Sequence, residues 1–252
     1  MADSKEVLGE EELKTVLFEA IRAKKARNYL LQYTERINQP RVWPTYTAEQ
    51  LMKAFEKEYL RRYEVPFIWD EYSRPVLEAL CLYFTQDQRF EELKEGYSLK
   101  KGLLLQGPVG CGKSSIMRIF GNNQKQSYQY AECPAMIREF SKTAYENYAK
   151  YTYPTLNPHP SQQHWGHAYL GWCFDDLGFE TIGKHYGKTS NFMMEIIQGI
   201  ESNLEVMAGM THFTTNLTAD EIELYYGNRI RSRMRMIYNP INYHQEAPDR
   251  RK

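Results

Sequence analysis

Eight consecutive residues, Gly107-Pro108-Val109-Gly110-Cys111-Gly112-Lys113-Ser114, satisfy the spacing G-x-x-x-x-G-K-[ST] at every position. Glycines at these points let successive backbone N–H groups turn inward around phosphate oxygens, and a helix that follows aims its positive end at them. In that geometry Lys113 reaches the outer phosphates, Ser114 offers a hydroxyl to Mg²⁺, and Ser115 completes the binding turn. Cys111 contributes its backbone there, and nothing around it calls for redox chemistry. Such a loop needs a carboxylate for the metal and a group that places a water. Asp175 and Asp176 follow the apolar run Trp172-Cys173-Phe174 and supply both, Asp175 for the metal and Asp176 for the water. Asn216, at the end of Thr211–Thr215, is a polar side chain suited to a phosphate or the water; as a residue type it suits a turn cap equally. Arg229, Arg231, Arg233 and Arg235 alternate along one segment. On a helix they form two i, i+4 pairs, and an arginine reaching a neighbouring subunit's terminal phosphate would make hydrolysis depend on assembly. Arg231 and Arg235 read equally as a basic solvated face.

The elements that must hold these residues are legible in outline. Residues 10–27 read as a helix with Glu10–Glu12 in its first turn and Arg22, Lys24, Lys25 and Arg27 in its last. Thr47 and Gln50 form a capping box for a helix bearing Leu51, Phe55 and Tyr59, and a further helix starts at Ser73 with an apolar surface nearly all round. Leu103–Leu105 is a buried strand leading into the loop, and Lys113 to Phe120 is a helix that Gly121 stops. Tyr128–Ala131 reads as a strand, and Pro134 opens a helix to about Lys150. Residues 151–167 are uncharged, carry prolines at 154, 158 and 160, and read as loop. Tyr169–Phe174 is the acid-bearing strand. Met193 to Met207 mark one helix that Gly209 ends, and Thr218 with Glu221 signals another capping box. Strands alternating with helices predict a parallel sheet covered on both faces.

The order G-P-x-G-C-G-K-S, F-D-D-L-G (174–178), T-T-N-L (214–217) and Y-G-N-R-I-x-S-R-M (226–234) resembles the AAA+ helicase loaders of the DnaC and DnaI type, and their relatives the IstB-like transposition ATPases. The resemblance spans about residues 70–243. It implies an α/β P-loop NTPase fold of AAA+ type over residues 66–248, with no separate helical lid, preceded by a small helical module over 1–65. It implies ATP and Mg²⁺ as ligands, Lys113 and Ser114 as Walker A residues, Asp175 and Asp176 as Walker B, and Asn216 as sensor 1. Arg229 and Arg233 become the arginine finger and second sensor, in either order. The family's second Walker B position is often glutamate, and Asp176 is one methylene shorter. By position, the 1–65 module would bind a replicative helicase, and the chain would assemble as a homo-oligomer through the arginine-finger interface. The IstB-like alternative is a DNA-binding ATPase that regulates a transposase.

Composition bounds the remainder. The chain has 252 residues, 42% hydrophobic and 14% aromatic, enough to build a core. No apolar run approaches the ~20 residues that span a bilayer. The acidic N-terminus does not read as an export signal, and four widely spaced cysteines form no disulfide or zinc pattern, so a reducing cytoplasm is expected. Lys plus Arg equals Asp plus Glu at 32 each, so any nucleic-acid contact must come from a local patch. By segment the charge is patterned: +5 over 97–150, −7 over 168–228 and +5 over 229–252. Tyr145, Tyr148, Tyr151 and Tyr153 near Lys142 and Lys150 could stack on single-stranded DNA, with core or loop packing as the other account. His164-Trp165-Gly166-His167 lacks the partner set of a metal site and reads as a packed loop.

Overall fold

The computed structural model describes residues 9–38, 41–143, 146–179, 183–185, 188–190 and 192–251. The chain divides into two compact units, Met1–Val42 and Trp43–Lys252. In the first, a single helix α1 (Glu10–Asn38) carries Leu13, Val16, Leu17, Phe18 and Ile21 exposed. It outruns the expected 10–27 because no glycine or proline interrupts it until Pro40, and the basic cluster at 22–27 lies mid-helix. Neither α1 nor any other described helix is long and apolar enough to cross a membrane.

The second unit runs α2 (Ala48–Tyr63), α3 (Ser73–Phe84), α4 (Arg89–Glu92), β1 (Gly102–Gln106), α5 (Lys113–Phe120), β2 (Tyr128–Glu132), α6 (Cys133–Thr143), α7 (Glu146–Thr152), β3 (Thr155–Leu156), β4 (Tyr169–Leu177), β5 (Gly183–His185), β6 (Lys188–Ser190), α8 (Phe192–Ser202), α9 (Leu204–Met207), β7 (Thr211–Thr215), α10 (Ala219–Tyr226), α11 (Asn228–Ile237) and β8 (Tyr238–Asn242). The main sheet has the order β2-β4-β7-β1-β8 with every pair parallel, and β3 adds antiparallel to the start of β4. β3 and a short 3-10 turn at His164–Gly166 occupy part of the segment expected to be loop.

Period-2 alternation along β1 sorts its side chains between two cores. Leu103 and Leu105 join Phe55, Phe84 and Phe120 under α2, α3 and α5, whereas Leu104 joins Met136, Ile196 and Ile230 under α6, α8 and α11. Phe120 stacks on Phe84 at 4.7 Å and on Phe55 at 5.3 Å, so the helix after the glycine-rich loop is pinned by rings from α2 and α3. Because α2 supplies Leu51 and Phe55 to this core, the boundary expected at residue 65 lies instead between Val42 and Trp43. The capping boxes Thr47/Gln50 and Thr218/Glu221 both form.

The helix expected from Pro134 to Lys150 is present as α6 and α7 on either side of residues 144–145, which lie outside the described residues. The one expected from Met193 to Met207 is divided into α8 and α9 at Asn203. At that break the Asn203 amide donates to the Gly199 carbonyl at 2.9 Å and to the Thr152 carbonyl at 3.3 Å. A side chain that satisfies the last helical carbonyls ends the backbone ladder there.

Candidate active site

In a parallel sheet every strand delivers its carboxyl end to the same edge. Here Gln106 lies level with Thr215, and Thr215 with Leu177, so the loop after β1, the acids near the end of β4 and Asn216 after β7 converge. The loop turns through Gly110 at φ 81° and Gly112 at φ 105°, conformations that side chains resist. Gly107 is required for a different reason, since a Cβ there would lie 2.5 Å from the Tyr243 Cβ.

Lys113 is only 4% exposed, and its ammonium donates to the Gly107 carbonyl at 2.8 Å, the Pro108 carbonyl at 2.8 Å and Asn216 Oδ1 at 2.5 Å. It thus ties the loop to the end of β7. Burial pulls its pKa below the usual lysine range, opposed by the Cys111, Asp176 and Asp175 groups. Cys111 is itself buried, and burial raises its thiol pKa, which leaves it unreactive.

The two adjacent acids have different settings because the β4–β7 register slips between Phe174 and Leu177. Phe174 faces Phe213 and Leu177 faces Thr215, so Asp175 and Asp176 together oppose the single residue Thr214, which defines a bulge. Asp175 is 2% exposed and accepts from the Ser114 hydroxyl at 2.9 Å and from the Thr214 hydroxyl through a short bond. Asp176, at φ 58°, donates its N–H to Thr214 Oγ1 at 3.1 Å and turns its carboxylate into the cleft. Burial first, then the neighbouring Asp175 charge, raises the Asp176 pKa. Thr214 was not among the residues singled out from sequence, although T-T-N-L placed it at the strand end beside the acids.

These groups enclose a cleft of about 220 Å³ lined by Gly110, Lys113, Ser114, Asp176, Asn216 and Arg251. A larger cavity of about 600 Å³ adjoins it across Gly107 and Pro108 and shares Asn216. The chemistry belongs to the smaller cleft, where ammonium, hydroxyl and carboxylates meet; the larger has the volume of an ordinary ligand pocket. Among the described residues no cluster of three His, Cys, Asp or Glu side chains forms a metal cage. Mg²⁺ in phosphate sites needs only one or two protein oxygens beside water and phosphate, and the adjoining Ser114 hydroxyl and Asp175 carboxylate fit that demand.

A glycine-rich loop between a buried parallel strand and a pinned helix, facing an acid pair on the same sheet edge, decides the fold. It is a P-loop NTPase-type fold. No protein-family model and no curated protein matches the chain. Among solved structures it is similar to AMPPCP-bound DnaA from Aquifex aeolicus, at 17% identity with a TM-score of 0.46, over 82% of this chain and 53% of that one. The chain thus spans about half the length of that structure.

The arginines of α11 stand apart from the cleft. Arg233 is 17% exposed at its side chain and pairs with Glu201 of α8 at 2.8 Å. Arg231, expected as part of a solvated face, pairs with Asp220 at 3.1 Å and with Glu223. Arg229 and Arg235 are exposed and, among the described residues, form no ion pair.

The aromatic set that could stack on DNA or pack in the core mostly packs. Tyr151 is 4% exposed in the core against Trp172, and the Tyr148 hydroxyl lies over Gly199. Tyr153 and Lys150 are exposed, the Lys150 ammonium 5.0 Å from the Tyr151 ring centre. Tyr145 lies outside the described residues. In the 164–167 loop, Trp165 stacks on Trp43 at 5.4 Å, and His167 Nδ1 accepts the Ser127 N–H at 3.1 Å.

Proposed function

We propose that this chain binds and hydrolyses ATP as an AAA+ assembly factor that loads or remodels a replicative DNA helicase, its nucleotide state controlling self-assembly. The observation that carries the ATPase reading is the convergence of Lys113, Ser114, Asp175, Asp176 and Asn216 on one cleft at the carboxyl edge of the sheet. Lys113 draws on the outer phosphates and Asn216 holds its ammonium in line. Mg²⁺, held by Ser114 and through Asp175, would neutralise charge building between the outer phosphates. Asp176 orients the attacking water, and burial raises its pKa, which favours its accepting a proton. Of the arginines, Arg229 is the one in this reading that faces a second copy, because Arg233 is committed to Glu201. The helicase is assigned through the family resemblance and through α1, a separate unit with exposed apolar side chains.

The test is ATP hydrolysis measured against protein concentration. Arg229→Ala is expected to abolish the concentration-dependent rise with an unchanged Tm, whereas Arg233→Ala lowers the Tm. Absence of ATP turnover in the wild-type protein at any concentration refutes the ATPase reading. For the partner, Leu17→Glu with Phe18→Glu should abolish co-purification with a hexameric helicase. Capture of a transposase instead would favour the IstB-like alternative.

A further inference from the structure

The segment after β8 is folded over the phosphate loop. Tyr243 continues the β8 direction through its N–H to the Gln106 carbonyl at 2.8 Å and packs on Gly107. Ala247 is buried, and the Arg250 N–H donates to the Gly110 carbonyl at 3.0 Å. Asp249 presses so closely on the loop that a Cβ on Gly110 would come within 2.0 Å of its carboxylate oxygen. Two adjacent arginines then take opposite settings. Arg250 has a side chain only 10% exposed and is fixed by Asp70 at 2.6 Å and by the Ile68 carbonyl at 3.3 Å. Asp70 is itself held, since its other oxygen accepts the Ser73 and Tyr72 N–H groups at the start of α3. Arg251 is 65% exposed, lines the phosphate cleft with Lys113 and Asp176, and among the described residues is held only by Asp249, at 3.0 Å from Nε and 2.8 Å from Nη2.

We propose that Arg251 is a phosphate-contacting residue of this cleft, supplied by the same chain, which leaves Asp249 for the terminal phosphate of a bound nucleoside triphosphate. The inference rests on the ATP-binding reading above and fills the in-chain arginine role that the sequence assigned to Arg229 or Arg233. An exposed pair two residues apart is a weak tether, and a phosphate carrying more charge than one carboxylate displaces it. Arg250 keeps the backbone in place while the next side chain exchanges partners. Asp249 has a second effect: a fixed negative charge against the phosphate loop opposes any incoming anion, so nucleotide binding must overcome it.

The test is the affinity of the full chain for ATP and for ADP by fluorescent-analogue titration with Mg²⁺. Arg251→Ala is expected to weaken ATP binding about tenfold while ADP changes less than about threefold, the scale of one charge-assisted hydrogen bond. Arg251→Lys should recover part of the loss, and Asp249→Asn should tighten both nucleotides. Arg251 is exposed, so its variants fold, and Tm checks this. An unchanged ATP-to-ADP affinity ratio in Arg251→Ala, with wild-type protein binding ATP, overturns the proposal alone. If wild-type protein binds neither nucleotide, the ATPase reading falls with it.

Discussion

Replacing Thr214 by valine isolates one hydroxyl on which both acids depend. Valine matches the shape of threonine, and the site is 0% exposed, so no water replaces the lost group. The Thr214 hydroxyl donates to Asp175, a hydrogen bond to a charged acceptor worth about 1.5–3 kcal/mol in protein interiors. It also accepts the Asp176 N–H at 3.1 Å, and leaving that half-buried donor unpaired costs roughly another 1 kcal/mol. The sum is about 3 kcal/mol. For a body of this size each kcal/mol moves the Tm by about 2–4 °C, so Thr214→Val should melt about 6–12 °C lower in a calorimetric scan. The variant should also lose ATP turnover with less effect on binding, because Lys113 and the loop keep their own contacts. Thr214→Ser retains the hydroxyl and removes only a methyl, so it should recover most of the Tm and the turnover. A Thr214→Val protein that melts with wild type, or a serine variant as damaged as valine, would show that the hydroxyl does not organise the acid pair.

Three further substitutions test the site and its frame. The Asp176 pKa is raised in the folded chain, so ionisation favours the unfolded state; the penalty is absent below the unfolded pKa and complete above the folded one. Asp176→Asn should therefore stabilise the protein at neutral pH and abolish hydrolysis, the gain in urea midpoint disappearing as pH falls through the ordinary aspartate range; asparagine tolerates the positive φ, so the backbone adds no strain. A gain independent of pH would contradict burial of the charge as its source. Gly171→Ala would drive a Cβ to 1.8 Å from the Met210 carbonyl and should cost about 3 kcal/mol or more, whereas Gly96→Ala meets open space and should cost about 1 kcal/mol for its φ of 85°. Equal urea midpoints for the two would refute the strand contact.

The glycine-rich loop and its flanks were legible almost to the residue because every signal there is local: a three-leucine run, glycines at fixed offsets, then Lys113 to Phe120 with Gly121 as stop. The capping boxes at Thr47 and Thr218 were legible for the same reason. What the sequence hid depends on a second strand or a distant segment. The bulge exists only relative to β7, so the strand read as ending at Phe174 runs on to Leu177 with both acids inside it. β3 lies between prolines and forms only because Tyr169 and Leu170 offer it an edge. The antiparallel β5–β6 pair has no apolar alternation to announce it. Arg251 sits in a run of three basic residues that looks solvated until Asp70 and Gly110 fix the backbone beside it.

The charge pattern along the chain also changes meaning once folded. The basic stretch 97–150 looked like a strip for a polyanion, yet Lys113 is buried, Arg118 pairs with Glu132 at 2.7 Å, and Lys125 is desolvated over the Tyr83 ring with its pKa pulled down to about 8. The arginines from 229 onward are joined largely to acids: Arg231 to Asp220 and Glu223, Arg233 to Glu201, Arg250 to Asp70 and Arg251 to Asp249. Much of the alternation between acidic and basic segments is therefore the wiring of one subunit and is not surface offered to DNA. Within α11 this leaves Arg229, at the start of the helix, and Arg235 as exposed guanidiniums with no acid partner among the described residues. A guanidinium that is to span two copies cannot be committed to an acid of its own chain, and Arg233, paired with Glu201, is so committed whereas Arg229 has no such acid among the described residues.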